Sequence, residues 1–214
     1  IELGGLTEPG TVALDVDGDN LRLRFPENVE RGNVLLTNQA GIYVAADGGG
    51  DIVVNVQNLE MTGESDIFAG IGSQLSSDNS RAGNIDINAS QKVNLNNSFI
   101  RNDVEAELRG QGGNTNVVTN ILFTRGGARV SANTFGKGKG GNLNVKAQDI
   151  QLIGTNENGN FTGLFAAAYA TGDGGKLNLS TDKLLVQDGT QVSTRRQGRR
   201  FDCTISRRKT DWRK

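Results

Sequence analysis

Histidine is absent from the 214 residues, which removes His-based triads, imidazole metal ligands and imidazole general bases. Cysteine occurs once, so no internal disulfide can form and thiol usage says nothing about redox compartment. Proline occurs only twice and aromatics make up 5% of the chain. No apolar run approaches the ~18–20 residues that a membrane helix needs. Glycine is frequent, 30 residues, but does not recur at every third position, which excludes collagen. With 35% hydrophobic residues and a net charge of -1, the composition is not that of a disordered chain. The length suffices for a buried core in one or two domains. No signal peptide is visible, but the first residue is Ile1 and not Met, so an upstream segment is expected.

The near-neutral total hides a split. From Arg195 onward nine basic residues face only Asp202 and Asp211, so this segment is +7 and residues 1–194 carry -8. The single Cys203 and single Trp212 sit in the same tail.

What is abundant is repetition. Five segments open alike: "GDIVVNVQNLEMTG" at Gly50, "GNIDINASQKVNLNN" at Gly83, "GNTNVVTNILFTRGG" at Gly113, "GNLNVKAQDIQLIG" at Gly141 and "GKLNLSTDKLLVQDG" at Gly175. The glycine-to-glycine steps run from 28 to 34 residues. Two residues after each glycine stand Ile52, Ile85, Thr115, Leu143 and Leu177, and two further on Val54, Ile87, Val117, Val145 and Leu179. Position +6 is smaller: Val56, Ala89, Thr119, Ala147 and Thr181. Alternation resumes with Leu59 and Met61, Val93 and Leu95, Ile121 and Phe123, Ile150 and Leu152, Leu184 and Val186. A third short strand is expected around Ile67, Ile100, Val130, Leu164 and Val192.

Period-2 alternation gives each strand one buried and one solvated face. A unit of three five-residue strands cannot bury its inward face alone. Stacked units can: equivalent strands pair in parallel about 4.8 Å apart, and the +2 and +4 side chains form continuous ladders. The fold expected is therefore all-β, a right-handed parallel β-helix with one rung per 28–34-residue repeat. The spacing of a leucine-rich repeat is absent, and a sandwich would not share a ~30-residue register. Length variation is assigned to the third turn, where "FGKGKG", "NENGNFTG" and "RGQGGN" are expected to loop outward.

Three regions follow: 1–49, outside the register; 50–194, the repeats; and 195–214, a basic tail of different character, expected to be disordered. Within the first, "TVALDVDGDNLRLRF" reads as two alternating strands (Val12, Leu14, Val16 and Leu21, Leu23, Phe25) across an Asp-Gly-Asp-Asn turn. It is either an earlier rung of another shape or a hairpin extending from one.

"IELGGLTEPGTVAL", "LRLRFPENV", "GNIDINA" and "NTFGKGKGGNLNV" together resemble cyanobacterial filamentous haemagglutinin-like exoproteins of two-partner secretion systems. The likeness covers roughly residues 1–194: the opening block is similar to the end of the family's secretion domain and the repeats to its β-helical stalk. It implies an extracellular or cell-surface adhesin or structural protein, non-enzymatic, exported through an outer-membrane partner transporter. Host-cell, matrix or polysaccharide surfaces would be its ligands. The family's NPNGI-type motif is not in this chain. Nor does the tail continue the repeat: after Thr194 it reads "RRQGRRFDCTISRRKTDWRK", as glycine-rich coding sequence does out of frame. The rival reading of the tail is a polyanion-binding basic arm.

An enzyme of the β-helix type would need two or three carboxylates on adjacent rungs, with Arg or Lys nearby. Asp86, at +3, meets Val53, Asn116, Asn144 and Asn178 in the other repeats, so no acidic column forms there. Asp149 and Asp182, beside Lys183, read as strand-end turn residues. The Asn116, Asn144 and Asn178 row reads as an amide ladder along the axis. "DVDGDN" (Asp15 to Asn20) lacks the EF-hand spacing, and "GKGKGGN" (Gly136 to Asn142) lacks the P-loop Lys-Ser/Thr and helix. Four N-x-Ser/Thr sequons (Asn88, Asn96, Asn160, Asn178) are expected by chance in so Asn-rich a chain. No catalytic, cofactor or metal-ligating residue is therefore assigned, and no specific nucleic acid or transmembrane segment. The alternative kept open is a carbohydrate-binding or polysaccharide-degrading β-helix, whose mark would be carboxylates clustered on one face.

Overall fold

The computed structural model describes residues 1–17, 20–26, 29–44, 49–72, 77–195 and 203–207. Among these there is no helix. The opening block contributes β1 (Glu2–Gly4), β2 (Ala13–Asp17), β3 (Asn20–Arg24), β4 (Val34–Leu36) and β5 (Gly41–Tyr43). The first repeat supplies β6 (Ile52–Thr62) and β7 (Asp66–Phe68), the second β8 (Ile85–Asn96) and β9 (Phe99–Arg101). The third supplies β10 (Thr115–Val118), β11 (Ile121–Arg125) and β12 (Arg129–Ser131). The fourth has β13 (Leu143–Lys146), β14 (Asp149–Ile153) and β15 (Gly163–Phe165), and the fifth β16 (Leu177–Thr181), β17 (Lys183–Gln187) and β18 (Gln191–Ser193). Last comes β19 (Cys203–Arg207).

These strands stack as the repeat register requires, in a parallel β-solenoid of three walls. In the first wall Ile85 stands between Ile52 and Thr115, and Leu143 between Thr115 and Leu177, every neighbour parallel. The second wall runs Leu59, Val93, Leu122, Ile150, Leu184, and the third Ile42, Ile67, Ile100, Val130, Leu164, Val192. In the first two repeats a single long strand, β6 or β8, turns the corner between walls. There β8 carries an extra residue against β6, a bulge between the pairs Val56–Ala89 and Asn58–Lys92, which bends the strand. The inward columns are water-free: Ile52, Val54, Ile85, Ile87, Leu143 and Leu177 are among side chains with no exposure. Each such Leu or Ile stabilises by about 1.5–3 kcal/mol relative to an exposed one. Two polar members of the columns are answered locally, Thr115 by donating to the Ser131 carbonyl (3.2 Å) and Thr119 to that of Gln91 (3.2 Å), whereas the Thr124 hydroxyl is not.

The corner glycines are selected by space. A Cβ on Gly113 would lie 1.8 Å from the Gly83 carbonyl oxygen, on Gly141 1.7 Å from that of Gly113, and on Gly175 1.9 Å from that of Gly141. One residue on, each asparagine side chain caps the rung above. Asn84 Oδ1 accepts the Asn114 N–H (2.9 Å), Asn114 Oδ1 that of Asn142 (3.0 Å), and Asn142 Oδ1 that of Lys176 (2.9 Å). The expected Asn116 ladder is present too: Asn116 donates to Asp86, Asn144 to Asn116 and Asn178 to Asn144, at 2.7–2.8 Å.

Three expectations are corrected. In the third repeat Leu122 and Thr124, not Ile121 and Phe123, face the core, because β11 keeps the register of Ile150 and Leu152. A one-residue slip exchanges the two faces, and Ile121 and Phe123 are simply the more apolar pair. Second, "FGKGKG" and "RGQGGN" do not loop out. Gly136 and Gly138 are buried, and Lys139 bridges Gln111 one rung away. Third, only the "NENGNFTG" segment protrudes, and it lies between β14 and β15, ahead of the third strand. That loop accounts for the longest step, Gly141 to Gly175.

Of the two readings of residues 11–25, the hairpin is the one the structure bears out; the rung it extends from is built from other residues. β1, β4 and β5 form an earlier rung, pairing with β6, β6 and β7. β2 and β3 form an antiparallel hairpin inserted in it. The turn at Gly18 and Asp19 lies outside the described residues, as do Arg196–Asp202 and Arg208–Lys214 of the tail. The described part of the tail, β19, extends the first wall by pairing with β16.

Candidate functional site

Each third-wall strand has three residues, and the middle one fills the core. Its two neighbours must therefore point outward. Aligning the rungs on the core column places Phe68, Arg101, Ser131 and Phe165 in one outward row, and Asp66, Phe99 and Arg129 in another. Three residues past each strand the chain lies in the core, with Ile71, Val104, Thr134 and Ala168 bridged in parallel. Between them Asp103 and Asn133 look outward again, and beyond them stand Glu105, Phe135 and Tyr169. The strand and this return enclose a groove of about 680 Å³, lined by Tyr43, Glu64, Asp66, Phe99, Arg101, Asp103, Glu105, Arg129, Ser131, Asn133 and Phe135 among others.

Its floor is organised by Arg101. The guanidinium makes a two-pronged contact with the Asp66 carboxylate, Nε to Oδ1 at 3.1 Å and NH2 to Oδ2, and approaches Glu105 at 3.6 Å. The same group lies 5.0 Å from the centre of the Phe68 ring, an additional cation–π contact. Its pKa is raised, first by the hydrogen bond to Asp66. Asp103 is 3% exposed; it accepts the Asn133 N–H (2.6 Å) and the Ser131 hydroxyl (3.0 Å). Burial pushes its carboxyl up to about 6, against the opposing pull of those two donors and of Arg101. At one end Phe135 and Tyr169 stack with centroids 4.8 Å apart and planes 6° apart, at the rung spacing.

Other sequence candidates lie elsewhere. Asp149, at the start of β14, receives Gln151 Nε2 (2.7 Å) and Lys183 Nζ (3.4 Å), and Asp182 sits at the corner before β17. Asp86 and the Asn116 row hold one another on the outer first wall, over a hollow of about 360 Å³. Gly136–Asn142 belongs to the third-wall return, and Thr134 donates to the Gly138 carbonyl there (3.0 Å). Among the described residues no group of three or more Asp, Glu or Cys could hold a metal ion.

Sequence reasoning searched for carboxylates on the first strand and found none aligned. The groove residues escaped because the third strand is short and only its central residue was aligned. The strand's flanks hold Asp66, Arg101 and Ser131 in neighbouring rows, and Asp103 lies two residues beyond. A side-by-side cluster of acids with an Arg on one face, the mark set for the carbohydrate alternative, is therefore present on the third wall.

Fold and groove together define a class: a repeat-built parallel β-solenoid with a lateral groove. Comparison of the chain with family models, with curated proteins and with solved structures finds no match.

Proposed function

We propose that the chain is a stretch of an extracellular or cell-surface rod of the filamentous haemagglutinin-like kind, exported by two-partner secretion and serving structural and adhesive roles. One observation carries the reading: successive rungs offer the next the same glycine corner and apolar columns, with an Asp or Asn cap from the first repeat to the fourth. Such a unit extends indefinitely along one axis, and length and stiffness are what a surface rod needs. No helix among the described residues is long and apolar enough to cross a membrane.

The non-enzymatic reading draws support from how the two buried acids of the groove are committed. Asp66 is held by Arg101 and Asp103 is closed off by Ser131 and Asn133, so neither is free to protonate or attack a substrate. The experiment is surface accessibility in native cells. An epitope in the 154–161 loop is expected to be cleaved by protease added to intact cells, and to lose that exposure when the outer-membrane transporter is deleted. An epitope protected until lysis sinks the proposal. Appearance of new reducing ends in polysaccharide incubated with the pure chain would overturn its non-enzymatic part.

A further inference from the structure

Six side chains that point away from the core are nonetheless almost sealed from water: Asp66, Phe68, Asp103, Ser131, Asn133 and Phe165, each at most 7% exposed. An outward face of a solenoid is ordinarily wet. Here it is sunken, and its polar groups are held in place by the rungs on either side. Asn133 receives the Ala167 N–H on Oδ1 (2.8 Å) while its own N–H goes to Asp103. A concave, preset, partly desolvated surface of this size is what small-ligand sites are built from.

We propose that this groove binds an uncharged oligosaccharide lying along the solenoid axis. Charge decides against polyanions: Glu64, Asp66, Asp103 and Glu105 outnumber Arg101 and Arg129, and a sulfated or phosphorylated chain would meet net repulsion. Backbone pairing decides against an extended peptide. The strands under the groove, β7, β9 and β12, already pair with the rungs above and below them, so a peptide lying across them finds no free edge to extend. A saccharide needs neither. It presents hydroxyls for the Arg101 and Glu105 head groups and an apolar C–H face for an aromatic ring.

That ring is Phe135. Tyr169 stacks on one face of it, Glu105 is its counterpart one rung down, and the ring lines the groove while remaining 37% exposed. Tyr43, 57% exposed, stands near the far end. From the rung of Tyr43 to that of Phe135 is three steps, roughly 14 Å at the parallel-strand spacing, room for several sugar rings in line. The inference does not rest on export or adhesion, since it concerns only what the pure chain binds.

The test is calorimetric titration of the full chain with a panel of hexasaccharides. The uncharged members are β-1,4-glucan, β-1,3-glucan, α-1,4-glucan and β-1,4-mannan; the charged ones are heparin-derived and chitosan hexamers. At least one uncharged member is expected to bind more tightly than either charged one. Phe135→Ala, at a half-exposed position, is expected to weaken it about tenfold with an unchanged circular dichroism spectrum, while Phe161→Ala on the protruding loop leaves it unaltered. Binding by no uncharged member, preference for the heparin or chitosan hexamer, or full affinity in folded Phe135→Ala would each overturn the proposal. Because the readout is in vitro, its failure is distinguishable from a failure of surface display.

Discussion

Asp103 makes the chain's stability depend on pH in the direction opposite to ordinary acid unfolding. Its carboxyl sits at about 6 in the folded chain against an ordinary 3.8, because burial penalises the charged form more than Ser131, Asn133 and Arg101 relieve it. Between those two values the folded state keeps a proton that the unfolded chain has released. The contribution of Asp103 therefore rises as pH falls from 6 to 4, and is lost again as pH climbs through 6. Two pH units at about 1.4 kcal/mol each make about 3 kcal/mol. The perturbation is Asp103→Asn, which keeps an acceptor for the Asn133 N–H and offers an amide donor to the Ser131 hydroxyl, but carries no charge. Urea unfolding of both chains, followed by far-ultraviolet circular dichroism from pH 4 to 8, gives a difference curve in which the remaining carboxylates largely cancel. The variant is expected to be the more stable at pH 7.5, and its advantage to shrink by about 3 kcal/mol by pH 4. The nearest charges, Arg101 and Glu105, remain in both chains. A flat difference curve, or an advantage that grows on acidification, refutes the reasoning.

Two further perturbations probe the stack. Gly141→Ala would drive a Cβ into the Gly113 carbonyl, and is expected to cost about 3 kcal/mol or more in thermal or urea unfolding. Gly5→Ala, with nothing within 4 Å, is expected to be near neutral in the same assay. Thr124 sits in a core column between Leu95 and Leu152, fully buried, with a hydroxyl that has no partner. Thr124→Val is expected to raise stability by about 1 kcal/mol, measured as a higher urea midpoint with unchanged slope.

How far the fold was legible depended on the length of each strand. All but one of the first-wall strands carry two or three alternating apolar residues behind a glycine, and five copies in one register made Ile52, Ile85, Leu143 and Leu177 identifiable as a column. The second wall was legible except in β11, where Ile121 and Phe123 are more apolar than the Leu122 and Thr124 that face inward. Local hydrophobicity cannot detect a frame that only the neighbouring rungs impose. β1, β4 and β5, at three residues each, carry too little pattern to be seen, and pairing with the first repeat is what makes them a rung.

Periodicity along the chain thus sufficed for the parallel solenoid, its step and most of its core, because a two-residue alternation repeated every thirty residues has few other ways to bury its apolar face. The groove belongs to a different level. Asp66, Arg101, Asp103 and Phe135 are separated by about thirty residues per rung and acquire a common environment only once the rungs are superposed. Their burial, the protonation of Asp103 and the stacking of Phe135 on Tyr169 are set by cross-rung distances of a few ångströms, which no single segment of the sequence contains.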